Sequence, residues 1–317
     1  MNAPKYIALS GGVGGAKLAF GLARELPPEE LLIVANTGDD FDHLGLRVCP
    51  DLDSITYALA GCENRTLGWG IEGESWNFME ALGLLKGETW FALGDRDLAT
   101  HVMRTLKLRD GASLTEVTQT LTRSLDIKHH VVPMSDDPVA TLVVTDQGTL
   151  NFQDYFVRQR CAPRVSAFRF AGAQEAAIQA DARAALTSQE LRAVILCPSN
   201  PFVSVGPILE LPGMRDLLAQ SGVPVVAVSP FINGKAVKGP SAKMMEELGM
   251  PVTNVALAEH YRDIVTAWII DESDQDQAQD IRNLGFECRT LPTLMKDDSD
   301  RTMLAKAVVE YCNELFI

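Results

Sequence analysis

Eight residues near the start of the chain, Ser10-Gly11-Gly12-Val13-Gly14-Gly15-Ala16-Lys17, combine four glycines with a lysine. They divide an apolar run, Tyr6-Ile7-Ala8-Leu9, from a helical pattern. Glycines at a strand-to-helix turn let backbone N–H groups approach a phosphate, and the helix N-terminus adds partial positive charge. The motif is not a Walker A loop, because Lys17 follows Ala16 and precedes Leu18 where that loop needs Gly-Lys-Ser/Thr. It is not the dinucleotide fingerprint either: Gly12 and Gly14 fit, but Lys17 stands where the third glycine belongs. Alone, the turn implies a phosphate or a tight turn without ligand.

Acidic groups follow. Asn36-Thr37-Gly38-Asp39-Asp40 and Pro50-Asp51-Leu52-Asp53 place hard carboxylates within reach of the turn, the usual way to hold Mg²⁺ against substrate phosphates. Asp40 and Asp51 are the candidate metal ligands, and Asp53 is either a catalytic carboxylate or a helix N-cap. Asn36 occupies the position where an NAD site would place an acid for the ribose, so hydride transfer is disfavoured. In Gly94-Asp95-Arg96-Asp97, Arg96 could stabilise charge on a transferring phosphoryl group or belong to a structural Arg–Asp network. His101, one turn on, reads better as an interior histidine than as a base. His129-His130 has no third ligand nearby and is no zinc site.

These motifs need a scaffold, and the apolar pattern supplies one. Val/Ile/Leu-rich runs at 5–9, 31–35, 193–197, 224–228 and 266–270 alternate with helical patterns at 16–26, 53–60, 75–85, 114–124, 208–220, 241–248 and 301–315. That alternation predicts an α/β fold with a doubly wound, mostly parallel Rossmann-like sheet. Residues 139–145 and 148–153 read as an antiparallel hairpin, and 174–187 as an Ala-rich helix. The division expected is a core from 1–100 and 191–317, with 101–190 as an inserted helical and hairpin lobe. The acidic stretch Asp271 to Asp280 reads as a solvated strand exit. In an open parallel sheet, ligands bind beyond the C-terminal strand ends. Ser199-Asn200-Pro201 and the loop from Ser229 to Lys238 fall there, on the same rim as the glycine turn.

Composition narrows the class. A net charge of −14 over 317 residues with 46% apolar content supports a sizeable core and argues against a nucleic-acid partner. Six scattered cysteines without metal spacing suit reduced thiols. With no charged and apolar leader, and no apolar run near the ~20 residues of a membrane span, a cytoplasmic protein is expected.

In this order, the motifs resemble those of the CofD/FbiA family of 2-phospho-L-lactate transferases, which act in coenzyme F-420 biosynthesis. They run from Ser10–Lys17 through Asn36–Asp40, Pro50–Asp53, Gly94–Asp97, Asp110–Thr115 and Pro133–Val139 to Ser199–Pro201 and Lys238-Gly239-Pro240. The resemblance implies transfer from a GDP-linked phosphoacid to the ribityl hydroxyl of the deazaflavin Fo, with GMP leaving and Mg²⁺ assisting. It implies GDP along Gly11, Gly12, Gly14, Gly15 and Lys17, with Ser199, Asn200, Pro201, Ser229 and Lys238. Asn36 and Thr37 would contact substrate, and Asp40 with Asp51 or Asp53 would hold Mg²⁺ and orient the hydroxyl. Arg96 would face Fo or the phosphates, and Trp69 would stack on the deazaflavin or serve as an ordinary lid residue. A homodimer is also implied. Phospholactate, phosphoenolpyruvate and phosphoglycerate remain open as the acid. The rival reading is a non-enzymatic nucleotide-sugar-binding regulator of the gluconeogenesis-factor kind, which shares the fold and a similar glycine loop.

Overall fold

The computed structural model describes residues 3–237 and 239–316. Seven strands form one sheet: β1 (Tyr6–Ser10), β2 (Leu31–Ala35), β3 (His130–Pro133), β4 (Ala193–Leu196), β5 (Val225–Val228), β6 (Ala267–Asp271) and β7 (Glu287–Leu291). Their order is β7-β6-β5-β4-β1-β2-β3, and every pairing is parallel. The chain moves outward from β1 to β3, then returns to pair β4 on the other side of β1. The switch point therefore lies between β1 and β4, where α/β sheets open a crevice for ligands.

Alternation along the strands feeds two cores. In β1, Tyr6 and Ala8 face a layer with α1 (Gly12–Glu25), α2 (Pro50–Leu59) and the C-terminal α5 (Asp298–Leu315). Ile7 and Leu9 face the other core, which includes Ile208, Met214, Met244, Leu257 and Ile281. Burial on both faces explains the near-continuous apolar character of these strands. Between β2 and β3 run α3 (Asp95–Arg109) and α4 (Leu114–Ser124). A reciprocal Ser113–Glu116 capping box starts α4. No helix among the described residues is long and apolar enough to cross a membrane.

Several expectations need correction. Helices α1 and α2 begin earlier than the apolar periodicity indicates, at Gly12 and Pro50, because the glycines of one first turn and the proline and aspartates of the other carry no apolar stripe. The pattern at 208–220 splits into Gly206–Leu209 and Met214–Gln220, with Gly213 at φ +80° between them. Of 174–187, only Ala180–Leu186 is helical; before it, Ala177 N–H donates to Asp137 Oδ2 at 2.8 Å. The acidic stretch is not simply solvated. Asp271 is buried and accepts from Thr293 N–H at 2.9 Å, while Asp274 accepts from Gly234 N–H at 2.7 Å.

Residues 101–190 contribute β3 to the central sheet. They also form a three-stranded antiparallel sheet in which Ala140–Thr145 lies between Gly148–Asn151 and Val165–Ala171. That sheet braces the rim: Thr141 N–H donates to Gly38 O at 2.6 Å, and Gln153 Nε2 to Asp39 O at 3.3 Å.

Candidate active site

The glycine turn sits at the switch point and is held from both sides. Ser199 Oγ donates to Gly11 O at 2.8 Å, joining the C-terminal ends of β1 and β4. Gly12 turns through φ +63°, a left-handed conformation that glycine adopts at little cost. Its N–H donates to Asp51 Oδ1 at 2.6 Å. A Cβ on Gly11 would lie 2.6 Å from Asp51 Oδ2 and 2.7 Å from Ser204 Cβ, so the close approach of α2 requires glycine there. Gly14 and Gly15 pack against Pro198 O and the Ser10 and Ser199 hydroxyls in the same way.

Asn36 is the hub. Fully buried at the end of β2, it donates through Nδ2 to Asp51 Oδ2 at 2.9 Å, to Val203 O at 3.2 Å and to Asp39 Oδ1 at 3.4 Å. Its Oδ1 accepts from Gly38 N–H at 2.8 Å. One amide thus ties together the acidic loop, the start of α2 and the turn after β4. That last turn, Pro201–Val205, begins where Asn200 Oδ1 accepts from the N–H groups of Phe202 and Val203.

Charge and unmet hydrogen bonding concentrate beside this hub. Burial pushes the Asp51 carboxyl up to about 6, although Asn36 and Gly12 donate to it. Burial also raises Asp40 to about 7, with the Arg47 guanidinium, 3.7 Å away, pulling the other way. Apart from the weakly donating Cys49 thiol, neither Asp40 oxygen finds a donor. Asp39 is raised well above the carboxylate range by burial, with Asp51 and Asp40 adding repulsion. Among the described residues, the buried hydroxyls of Thr37 and Thr141 also lack partners, and that of Ser10 has only the Cys197 thiol. Buried polar atoms are normally bonded, and this group of exceptions lines one rim.

A second charged cluster lies on the other side of α2. Asp53 pairs with Arg104 of α3 through both carboxylate oxygens, one contact being 3.2 Å. His101 Nδ1 faces Arg104 Nη1 at 3.2 Å, and its Nε2 faces Asp97 Oδ1 at 3.3 Å, which also accepts from Tyr57 OH at 2.6 Å. Ligand atoms of Asp53, Asp97 and His101 lie within 4.8 Å of one another, the spacing of a cation site, but Arg104 supplies the cation. Asp39, Asp40 and Asp51 are not gathered as tightly.

The remaining candidates take separate places. Ser229 Oγ donates to Asn254 Oδ1 at 2.5 Å and accepts from Phe231 N–H, shaping the loop after β5. Lys17 Nζ donates to Met295 O at 2.8 Å. Trp69 is 43% exposed and meets Trp76 edge-on. Arg96 is exposed; its Nη1 donates to Glu72 O at 2.9 Å and its N–H to Glu74 Oε2 at 2.7 Å. Asp95 binds Ser75, Asn77 and Phe78, so this motif straps the 72–78 segment to α3. Lys238 lies outside the described residues. Sequence reading missed Arg104, although Asp97, His101 and Arg104 share one helix face at i, i+4 and i+7. No sequence signal marks Val203, which enters the site through its carbonyl.

A comparison with protein families matches residues 7–301 to the family described as 2-phospho-L-lactate transferase CofD. The chain is similar to the 2-phospho-L-lactate transferase of Methanosarcina mazei, 39% identical over 304 residues, covering 96% of this chain and 99% of that protein. It is also similar to the phosphoenolpyruvate transferase of Streptomyces griseus, 35% identical over 317 residues, covering 98% and 99%. Among solved structures, protein BH3568 of Bacillus halodurans superposes with a TM-score of 0.64 at 13% identity, covering 97% of this chain and 100% of that one. That likeness carries the fold alone.

Proposed function

The chain belongs to the 2-phospho-L-lactate transferase CofD family, and from that premise we propose that it transfers a phospholactyl-type group from a GDP-linked donor to the ribityl hydroxyl of Fo. The phospholactyl, phosphoenolpyruvyl and phosphoglyceryl donors share this chemistry. The observation that carries the reading is the gathering of under-bonded buried polar groups at the switch point: Asp40, with only the Cys49 thiol, and Thr37 beside the Asn36–Asp51 hub.

The donor diphosphate lies across the first turn of α1. There the N–H groups of Val13 and Gly14 belong to the helix turn that lacks intrahelical acceptors. Ser199 and Asn200 flank it, and the guanosine extends toward Ser229. The ribityl oxygen bonds to the phosphorus bearing the acid, the bond from that phosphorus to the bridging oxygen breaks, and GMP leaves. The hydroxyl proton passes to a carboxylate of the Asp39–Asp40–Asp51 group. Such chemistry depends on positioning and charge neutralisation, which the rigid hub provides.

Mg²⁺ fits this group, because Asp40 is a buried carboxylate short of donors and Mg²⁺ needs only one or two carboxylates plus substrate phosphates and waters. Asp40 and Asp51 would hold it, and when bound it neutralises phosphate charge. An exposed apolar stripe on α3, Val102, Met103 and Leu106, supports a homodimer.

The test is calorimetric titration of Fo with and without Mg²⁺ and GDP, followed by turnover with each donor and detection of GMP. Saturable Fo binding and GMP release are expected. Absence of both, with a nucleotide-sugar bound instead, overturns the reading in favour of a binding regulator.

A further inference from the structure

A cleft opens on the outer side of the glycine turn, and its charge is the reverse of the rest of the chain. Its wall begins at Val13, one residue past Gly12, and carries Lys17, Arg65, Lys296 and Arg301 against one carboxylate, Glu63. The whole chain has a net charge of −14. Of the nearby acids, Asp298 pairs with Arg65 at 2.8 Å and lies 3.7 Å from Arg301, while Asp297 accepts from Asp300 N–H at 3.0 Å and Asp300 from Lys296 N–H at 2.9 Å. Cations gathered in a concavity raise the local concentration of anions and bind them more strongly than an open surface does.

The wall is ordered in advance. Lys17 is fixed on Met295 O at 2.8 Å. Arg65 bridges Glu63 at 3.3 Å and Asp298 at 2.8 Å. Arg301 is 1% exposed and paired with Glu63, yet its Nε is buried without a partner. A guanidinium buried with unused donor capacity at a basic cleft is an unmet demand for an acceptor.

We propose that this cleft is the subsite for the carboxylate of the donor's acid, continuous with the phosphate site through Val13. The assignment rests on the transferase reading above. With the diphosphate across the first turn of α1, the donor's remaining anion is that carboxylate, and planar guanidinium groups match carboxylates in two-point fashion. Phospholactate, phosphoenolpyruvate and phosphoglycerate all carry it. The cleft therefore fixes the orientation of the acid and does not choose among the three.

The test titrates phosphoenolpyruvate and GDP separately into the full chain and into an Arg65→Gln/Lys296→Gln variant. Both residues are exposed, and melting curves check that the variant folds. Phosphoenolpyruvate binding weakens about tenfold or more and GDP binding changes by less than about twofold, while Arg65→Lys, which keeps the charge but loses the planar fork, still weakens phosphoenolpyruvate by about threefold or more. Equal weakening of both ligands overturns the proposal, because the cleft then holds the diphosphate. Unchanged phosphoenolpyruvate binding, or none to the unaltered chain, also overturns it. Failure of GDP itself to bind the unaltered chain counts instead against the transferase reading.

Discussion

Asp51 and Asp53 leave the same helix two residues apart and meet opposite surroundings. At about 100° per residue they point roughly 200° apart, one toward the glycine turn and the other toward α3. Asp51 lies beside Asp39, Asp40 lies on the far side of Asp39 against Arg47, and burial raises all three. Asp53 meets Arg104, and its neighbour Asp97 is shifted the other way. Burial alone would raise Asp97, but the hydrogen bond and charge of His101, aided by Tyr57 and Arg104, hold it below the carboxylate range. The first region gathers negative charge that its own residues leave partly uncompensated. The second answers its charges internally. Burial by itself does not distinguish a structural acid from a reactive one; the completeness of its partners does.

The largest test of this contrast is Asp53→Ala. It leaves Arg104 buried without its carboxylate, which should cost about 3–5 kcal/mol in urea unfolding. Activity should then fall only in proportion to the unfolded fraction, and Arg104→Met in the same chain should recover part of the stability. An unchanged unfolding midpoint would show that Asp53 carries no structural load. Next is Asp51→Asn, expected to reduce turnover at least ~10²-fold with a smaller loss of stability than Asp53→Ala, since the amide oxygen keeps only one of the bonds from Gly12 N–H and Asn36 Nδ2. Near-normal turnover would remove Asp51 from the site.

The two regions should also oppose each other in pH. Asp51 near 6 and Asp40 near 7 compare with about 3.9 in an unfolded chain. Between those values the folded protein keeps protons that the unfolded chain has released. Their contribution is complete below about pH 4 and is lost as pH rises through about 6 to 7. Asp97, shifted down, contributes above the unfolded value and loses that contribution as acid protonates it. The metal-free protein should therefore lose a few kcal/mol of the acidic rim's contribution between about pH 4 and 7. Asp40→Asn should flatten that fall, and Mg²⁺ should raise the melting temperature more at pH 8 than at pH 5. Melting curves across pH read all three; parallel curves for the two proteins would mean that Asp40 does not titrate there.

The parallel core was legible because β1, β2, β4, β5 and β6 are dominated by Val, Ile, Leu and Ala and buried on both faces, which few other arrangements tolerate. The edge strands were not. β3 begins at His130, and β7 reads Glu-Cys-Arg-Thr-Leu, since an edge strand has less apolar burial to declare. The rim followed from strand ends alone, which brought Ser10–Lys17, Asn36–Asp40 and Ser199–Pro201 to one place. Partner choice did not follow. Asp53 and Arg104 are 51 residues apart, and no local periodicity records that α3 folds back across α2. For the same reason the sequence leaves Arg96 open between a cation facing Fo or the phosphates and a member of a structural network, and only the fold shows its guanidinium on the Glu72 carbonyl.

Arg96 therefore gives the smallest and sharpest test. If its work is to strap the 72–78 segment, Arg96→Gln removes one exposed charge-assisted hydrogen bond and leaves the backbone contact to Glu74 intact. An exposed bond of this kind is worth about 1 kcal/mol or less, so kcat should fall less than about fivefold and KM for Fo should carry most of any change. Loss of phosphoryl stabilisation would look different: kcat would fall by about 10² or more with KM little changed. Steady-state kinetics of this variant beside Asp51→Asn separates the two roles. A matching kcat collapse would bring Arg96 into the reacting region and extend that region beyond the Asn36 hub; a KM-weighted change would keep Arg96 with the self-compensated network of α3.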